Sequence, residues 1–390
     1  MDPVYLDHAA TTPVRPEARD AMLPFLGAEG FGNPSSMHRF GRTARGGLEQ
    51  ARRQVALALG AESGQVFFTS GGTEADNLAV MGAALAARRR GGSMRVAVSA
   101  IEHKAVLAAA HAVHRLGGVE EVLRVSADGV VDLDALDAAL ASRPAVVSVM
   151  WVNNEIGVIQ PIAEIGRRCR AAGVLFHTDA VQAFGNLPVR FADTPCDLLT
   201  VSAHKVGGPK GIGALIVRNR QSIEPLIQGG GQQSGLRPGT ENIAGAAGFG
   251  RAAELAAQEQ PEHASRLTRL RTRLAERLLA SVPDLVVVGE RAERAPHILN
   301  VCVPSADSGA LLMHLDLAGV AVSSGSACAS GAADPSPVLT AMGIPAALAA
   351  GALRFSLGRD TDEAGVDRAA EVFPGVVAKV RAVTGALARA

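Results

Sequence analysis

Lys205 is the residue with the clearest capacity for chemistry, because lysine is rare in this sequence and this one ends a predicted strand. The run 198–205 brings Ser202, His204 and Lys205 together into a loop that continues with Val-Gly-Gly-Pro. A lysine whose pKa is lowered by burial or by a neighbouring cation can attack a carbonyl group. The run therefore predicts a nucleophilic amine, and the alternative is an ordinary solvated surface lysine.

A carboxylate and an imidazole follow two other predicted strands. Asp179 comes directly after the strand 174–178, and Gln182 lies three residues further on, near the start of the next helix. His103 also follows a strand, and its flat ring could stack on a bound aromatic ring. The carboxyl ends of strands in open α/β sheets form the edge where ligands bind, so these side chains are candidates for one site. The alternatives are a helix-capping or arginine-paired aspartate and a structural histidine.

The run 69–74, Thr-Ser-Gly-Gly-Thr-Glu, is a candidate anion site. It follows a strand and opens a predicted helix, so its backbone N–H groups and the Thr73 hydroxyl would point toward a phosphate at the helix start. No Walker lysine and no G-x-G-x-x-G pattern accompanies it, so it indicates no particular nucleotide. Glycines that serve only the turn are the alternative.

Together these features match the requirements of pyridoxal 5'-phosphate. That cofactor needs an amine for its Schiff base, an acid against its pyridine nitrogen, and hydroxyl and N–H groups for its phosphate. Lys205 offers the amine, Asp179 the acid and Thr73 a phosphate contact. Since Asp179 and Lys205 lie one βα unit apart, adjacent strand ends could present both to one ring.

Cys328 differs from the other three cysteines in its surroundings, a run of Ser, Gly and Ala from 323 to 332. Small residues cannot pack a core, so we expect this loop to be exposed and its thiol to be reactive. Cys302 lies in an apolar strand and Cys169 in a helical stretch, where a buried and inert cysteine is expected. An incidental surface cysteine is the alternative for Cys328.

A candidate for substrate binding is Arg354, within the predicted strand 353–357. Its guanidinium could hold a substrate carboxylate through two parallel hydrogen bonds. The alternative is an ordinary surface ion pair.

The composition predicts a folded cytoplasmic protein and argues against several functional classes. The chain has 390 residues, and its 38 basic and 38 acidic residues cancel. A dedicated nucleic-acid binder needs an excess of positive charge, so we expect no direct binding to nucleic acid. No C-x-x-C pair, no signal-peptide pattern and no long apolar span occurs, so we expect neither a metal site nor a membrane attachment.

The elements that must position these residues form a predicted α/β fold with a mostly parallel seven-stranded sheet. Short apolar runs alternate with helical stretches rich in Ala, Leu and Arg up to residue 217. The seven predicted strands are 66–69, 95–99, 121–125, 145–150, 174–178, 198–202 and 213–217.

A second, smaller α/β domain is predicted after the mainly helical region 244–281, in which Pro261 should interrupt a helix or begin one. We expect a large cofactor-binding domain over 15–255 and a small domain over 1–14 and 256–390, which carries the cysteine loop. The predicted elements of the small domain are strands 285–288, 298–303, 320–323 and 353–357 and helices around 310–317 and 363–387.

Eight motifs occur in order between residue 5 and about residue 358. They are YLDHAATT at 5–12, GNPSS at 32–36, TSGGTEADN at 69–77, EHK at 102–104, NNEIG at 153–157, SAHK at 202–205, GTEN at 239–242 and SGSACAS at 324–330. Together they resemble the cysteine desulfurases of the NifS/IscS type, and as a set they are highly specific. The resemblance implies the fold type I of pyridoxal-phosphate enzymes, in the class-V aminotransferase family, and a homodimer with active sites at the subunit interface.

The resemblance also implies a role for each matching residue. Around the cofactor ring it implies covalent attachment to Lys205, a charge contact with Asp179, stacking by His103 and a hydrogen bond from Gln182. For the phosphate it implies Gly72, Thr73, Ser202, His204 and, from the other subunit, Thr240. For the substrate carboxylate it implies Asn154, which also borders the cofactor, Arg354 and, nearby, Asn33.

The implied activity is conversion of L-cysteine to L-alanine, with Cys328 accepting the sulfur as a persulfide. The sulfur would then pass to acceptor proteins, such as an iron–sulfur scaffold or a tRNA-thiolation carrier. A class-V aminotransferase or a selenocysteine lyase is the alternative of the same fold, and it needs no nucleophilic cysteine. A non-catalytic sulfur-transfer scaffold is the alternative of another class. One departure from similar enzymes is Gln-Gln-Ser at 232–234, where they often carry a more charged run.

Overall fold

The computed structural model describes residues 3–324 and 336–387 and is organised around a seven-stranded sheet. The strands are β1 (Val4–Tyr5), β2 (Val66–Thr69), β3 (Arg95–Ser99), β4 (Val119–Leu123), β5 (Val146–Ser148), β6 (Leu175–Asp179), β7 (Leu198–Ser202), β8 (Gly213–Val217), β9 (Val286–Val287), β10 (Ile298–Cys302), β11 (Val320–Ala321) and β12 (Ala352–Ser356). The helices are α1 (Pro16–Leu26), α2 (Arg39–Leu59), α3 (Gly72–Arg89), α4 (Lys104–Arg115), α5 (Leu133–Ala141), α6 (Ile162–Ala172), α7 (Ile243–Ser281), α8 (Ser308–Leu317), α9 (Pro337–Ala341), α10 (Ala346–Ala349) and α11 (Glu363–Leu387).

The large sheet has the order β2-β8-β7-β6-β5-β3-β4. The pairings from β7 to β4 are parallel, whereas β8 pairs antiparallel with both β2 and β7. The prediction of a mostly parallel seven-stranded sheet is therefore confirmed. Alternate residues of the central strands enter two different hydrophobic clusters, one on each face, which explains why these strands are nearly continuous apolar runs.

The edge strand β4 begins at Val119, two residues before the predicted start at Glu121. Val119 and Val122 are both exposed, so only part of this strand is buried. An edge strand that leaves side chains in solvent has a weaker apolar pattern than a central strand, and its bounds are harder to predict.

Helix α7 is continuous from Ile243 to Ser281 with Pro261 in its interior, so the prediction of a break or a start at this proline is wrong. Proline lacks the N–H that would bond to the carbonyl four residues earlier, which costs a helix about 3 kcal/mol. Helix α7 packs against α1 and α2 before the proline and against α11 after it. Packing on both sides of Pro261 therefore outweighs the lost hydrogen bond.

Helix α7 contributes to two separate hydrophobic cores. Phe249 packs in the core of the large sheet, whereas Leu267 and Leu274 pack in a second core with residues of β10, β12, α8 and α11. Leu6, near the N-terminus, is buried in this second core. The two cores support the predicted domain division near residue 255, which stays a prediction.

The remaining strands form two small sheets. Strands β12, β10 and β9 make an antiparallel sheet in that order, and β1 pairs in parallel with β11. Strand β12 carries Arg354 to the cavity at the carboxyl ends of the parallel strands. Within the described ranges, no helix combines the length and the apolar character needed to cross a membrane.

Candidate active site

A cavity of about 460 Å³ lies at the carboxyl ends of the parallel strands, beside Arg354 of β12. A volume of this size with a few convergent polar groups is typical of a small-molecule site. Ten residues selected from the sequence line it: Gly72, Thr73, His103, Asn154, Asp179, Gln182, Ser202, His204, Lys205 and Arg354.

Lys205 reaches the cavity from a single 3-10 turn, Ala203–Lys205, which directly follows β7. Its Nζ donates hydrogen bonds to the carbonyl oxygens of Ala9 and Ala10, at 2.5 and 2.8 Å. The N-terminal segment therefore holds the amine in place. The structure presents an anchored primary amine to the cavity, as a nucleophile toward a carbonyl group requires.

Asp179 and His103 face the same cavity from two strand ends. Burial raises the pKa of Asp179, and the backbone N–H of Val181 and the positive charge of Lys205 partly offset this rise. The Nδ1 atom of His103 accepts a hydrogen bond from the backbone N–H of Ala105 at 3.2 Å. Burial also lowers the pKa of His103, so its ring is neutral and carries its proton on Nε2. A neutral flat ring beside a carboxylate suits contact with a cationic aromatic ring.

Gln182 and His204 are both oriented by the protein. The Gln182 Nε2 atom donates to the carbonyl oxygen of Ala9 at 2.9 Å, and its Oε1 lies 3.1 Å from Nε2 of His297. One N–H of the Gln182 amide remains to donate to a ligand. Burial lowers the pKa of His204 to about 4, and its Nδ1 lies 3.2 Å from Oγ1 of Thr11. His204 is therefore a neutral polar group at pH 7.

The N-terminus of α3 borders the cavity. This helix has 18 residues and begins at Gly72, so its first backbone N–H groups have no partner within the helix. A Cβ at Gly72 would lie 3.1 Å from Cγ2 of Val181 and 3.7 Å from Cβ of Ser202. The missing side chain leaves room between the helix start and β7, where Ser202 and Thr73 add hydroxyl groups. These donors suit a phosphate.

Arg354 of β12 also lines the cavity. It is only 2% exposed, and it donates from Nη1 to the carbonyl oxygen of Asn154 at 2.8 Å. Its Nη2 donates to Oδ1 of Asp7 at 2.7 Å, whereas its Nε is buried without a hydrogen-bond partner. Arg354 is therefore a held cation with donor capacity to spare, rather than an ordinary surface ion pair.

Three residues of the predicted site are not brought to this cavity by the described chain. Asn33 is exposed, and its Oδ1 accepts a hydrogen bond from the backbone N–H of Ser35 at 2.9 Å. Thr240 is also exposed and lines a different pocket. Cys328 lies outside the described residues. The roles of these residues stay predictions, since that of Thr240 concerns the other subunit.

Some residues at the site were not selected from the sequence as site residues. They are the carboxyl groups of Asp7, Asp76 and Glu102 and the backbone carbonyls of Ala9 and Ala10. The sequence could have identified Glu102 as a site residue, because it follows β3 and is adjacent to His103. Asp76 could have been identified as well, because it is a charged residue among the alanines of α3.

The family model described as Aminotransferase class-V matches residues 4–369. The chain belongs to this family. It is 44% identical over 381 residues to the cysteine desulfurase IscS of Dictyoglomus turgidum, an alignment that covers 98% of this chain and 96% of that protein. Among solved structures, a NifS-like protein matches with a TM-score of 0.89 at 34% identity and covers 97% of this chain and 100% of its own. A structure described as SspA in complex with cysteine matches with a TM-score of 0.79 at 33% identity, over 90% of this chain and 98% of its own.

These similarities confirm the family, the fold class and the enzyme class predicted from the motifs. The chain is similar to cysteine desulfurases over nearly its whole length, and its solved relatives share the fold. The roles of the individual residues stay predictions, which the geometry of the cavity supports.

Proposed function

We propose that this protein is a pyridoxal-phosphate-dependent cysteine desulfurase, which converts L-cysteine to L-alanine and holds the sulfur as a persulfide on Cys328. The observation that carries the proposal is the grouping of Lys205, Asp179 and Arg354 in one cavity at the N-terminus of α3. The similarity to cysteine desulfurases supports cysteine as the substrate. A non-catalytic scaffold would have no use for an amine, a carboxylate and a guanidinium group in one cavity.

The donor set of the cavity fits pyridoxal phosphate. The start of α3, with the space left at Gly72 and the hydroxyl of Thr73, would hold the phosphate. Asp179 would face the ring nitrogen, and Gln182 has an N–H to offer the phenolic oxygen. Lys205 would bind the cofactor aldehyde through its anchored amine.

When bound, pyridoxal phosphate supplies an electron sink for the negative charge that develops at the substrate Cα. Lys205, once released from the cofactor, would move a proton at that carbon. Asp179 would keep a proton on the ring nitrogen, because an adjacent carboxylate stabilises the positive charge. His103 would lie against the ring and assist in proton transfer.

Arg354 and Cys328 would act on the substrate itself. Arg354 would orient the substrate carboxylate through its spare N–H groups, with Asn154 beside it. The Cys328 thiolate would then attack the substrate sulfur, forming an S–S bond while the Cβ–S bond breaks. The electron pair of the broken bond stays with Cβ, which would take up a proton, and return of the proton to Cα by Lys205 would complete L-alanine.

A homodimer, a cytoplasmic location and transfer of the sulfur to an acceptor protein are parts of the same proposal. The acceptor would be an iron–sulfur scaffold or a tRNA-thiolation carrier. Exposure of Thr240 on the single chain supports the dimer, since a side chain that serves a neighbouring subunit must be accessible.

Thr240→Ala tests the contact across the dimer. Loss of one or two hydrogen bonds to a charged phosphate should weaken cofactor binding by about 1.5 to 3 kcal/mol each. Cofactor retention after dialysis measures this effect, and Thr268→Ala, an exposed threonine of α7, is the matched control. Fully active monomers in sedimentation experiments would contradict the shared site.

The function itself is tested on the purified protein with L-cysteine. We expect a yellow protein that releases alanine and, with a thiol reductant present, an equal amount of sulfide. A colourless protein would favour the scaffold alternative. Transamination, or turnover of selenocysteine alone, would favour the alternatives of the same fold.

A further inference from the structure

Four carboxyl groups line the cavity, those of Asp76, Glu102, Glu155 and Asp179. Glu155 accepts a hydrogen bond from the hydroxyl of Ser336 at 2.5 Å. The other three belong to different elements. Asp76 belongs to α3, Glu102 follows β3, and Asp179 ends β6. They are 1%, 3% and 5% exposed, respectively. Three carboxylate anions in so dry a site would repel one another and would each lose the solvation of water. The partners of each group therefore decide which of them carries charge.

Asp179 has the surroundings of an anion. Its Oδ1 accepts a hydrogen bond from the backbone N–H of Val181 at 2.8 Å. Burial raises its pKa, whereas the hydrogen bond from Val181 and the positive charge of Lys205 lower it. A cationic ring nitrogen in the cavity would lower it further.

Glu102 lacks such surroundings. Its Oε1 accepts a hydrogen bond from the backbone N–H of Met150 at 2.6 Å, and its Oε2 is buried with no hydrogen-bond partner. Met150 and the hydroxyl of Ser148 lower the pKa of Glu102 only in part. Burial raises the pKa of Glu102 well above its ordinary value, and the charge of Asp179 adds to this rise. A neutral acid suits this position, because a buried carboxylate oxygen without a hydrogen-bond partner costs more free energy than a buried neutral carboxyl group.

Asp76 is in the same situation. Its Oδ1 is buried without a hydrogen-bond partner and lies 3.7 Å from Nε2 of His177. Burial and the charge of Asp179 raise the pKa of Asp76 well above its ordinary value, although a hydrogen bond with the Thr200 side chain lowers it in part. The His177 imidazole is no cation, because burial lowers its pKa to about 3, and its nitrogens lie 2.8 and 3.0 Å from the hydroxyls of Ser148 and Thr200. Among the described residues, neither Asp76 nor Glu102 forms an ion pair with a lysine or an arginine.

We propose that Asp76 and Glu102 are neutral carboxylic acids in the folded protein, and that they act as positioning residues that leave Asp179 the one charged carboxylate of the three. The consequence of this protonation rests on the proposed function, because a bound ring nitrogen would then face one of these groups as an anion rather than three. The protonation itself belongs to the chain alone.

Infrared spectroscopy of the purified holoenzyme tests the protonation directly, because a protonated carboxyl group has a carbonyl stretch that a carboxylate lacks. We expect such bands to persist at pH 7, where exposed carboxyl groups with pKa values near about 4 are ionised. Glu102→Gln and Asp76→Asn should each remove one component. Glu371→Gln, at an exposed glutamate of α11, is the matched control and should remove none. A wild-type spectrum without these bands would overturn the proposal even if the variants fail to fold.

The pH titration of the yellow absorption band gives a second readout. Glu102→Gln exchanges a neutral acid for a neutral amide, so the midpoint should move by less than about 0.5 pH units. A larger shift would show that Glu102 is charged in the holoenzyme and would contradict the proposal. A colourless protein would count against the proposed function alone, because the infrared bands come from the carboxyl groups of the chain.

Discussion

Lys205→Ala should lower turnover of L-cysteine by more than about 10³-fold. The substitution removes the amine that would bind the cofactor and also the group that would move the proton at the substrate Cα, and general acid–base catalysis alone contributes about 10²- to 10⁴-fold. Lys205 is the residue whose amine is anchored at the cavity, by the carbonyl groups of Ala9 and Ala10. Turnover, measured as alanine released, checks the expectation.

Borohydride reduction locates the amine independently of turnover. Wild-type protein should lose its yellow colour and carry the reduced cofactor on Lys205, and Lys205→Ala should yield no lysine adduct. Lys210→Ala is the matched control, since Lys210 is exposed five residues later. Lys104 also lines the cavity and is the amine to exclude. A reduced cofactor mapped by mass spectrometry to Lys104, Lys210 or Lys379 would refute the assignment.

The sequence predicts most of the site because the fold places it by a simple rule. Asp179 and Ser202 are the last residues of β6 and β7, and Lys205 follows one turn later. Strands that are buried on both faces are visible as apolar runs, and in a parallel sheet their carboxyl ends meet at one edge. Knowing where each strand ends is then enough to group the residues that follow it.

Contacts between distant segments could not be predicted in this way. Asp7 meets Arg354, and the carbonyl of Ala9 meets Lys205, only because the N-terminal segment passes both β12 and the turn that follows β7. Pro261 lies within α7 because packing on both sides holds the helix, although the local preference is for a break. Side chains and backbone far apart in sequence decide these features, so no local pattern reveals them.

The three cysteines of the described chain are poor nucleophiles. Cys169, Cys196 and Cys302 have side chains that are fully buried, and burial raises the pKa of each thiol to about 12. A thiolate is the form that attacks sulfur, so these thiols are almost entirely in the unreactive state at pH 7. The proposed sulfur acceptor is therefore Cys328.

Cys328→Ala should abolish release of both alanine and sulfide while leaving the cofactor in place. If the thiol acts only after the substrate has bound, the variant should stay yellow and its spectrum should still shift when L-cysteine is added. Arg354→Ala should give the opposite result, since its yellow colour should survive while the response to L-cysteine is lost. This contrast separates sulfur transfer from substrate binding.

Mass spectrometry after a single turnover decides which thiol accepts the sulfur. We expect one persulfide, on Cys328, and turnover within a few-fold of wild type after conservative substitution of any buried cysteine. Cys302→Ala is the matched control, because Cys302 lies inside β10 at the core, where a smaller side chain costs stability rather than chemistry. A persulfide on another cysteine, or full activity without Cys328, would refute the proposed mechanism, because the Cβ–S bond would then have been broken by a different nucleophile.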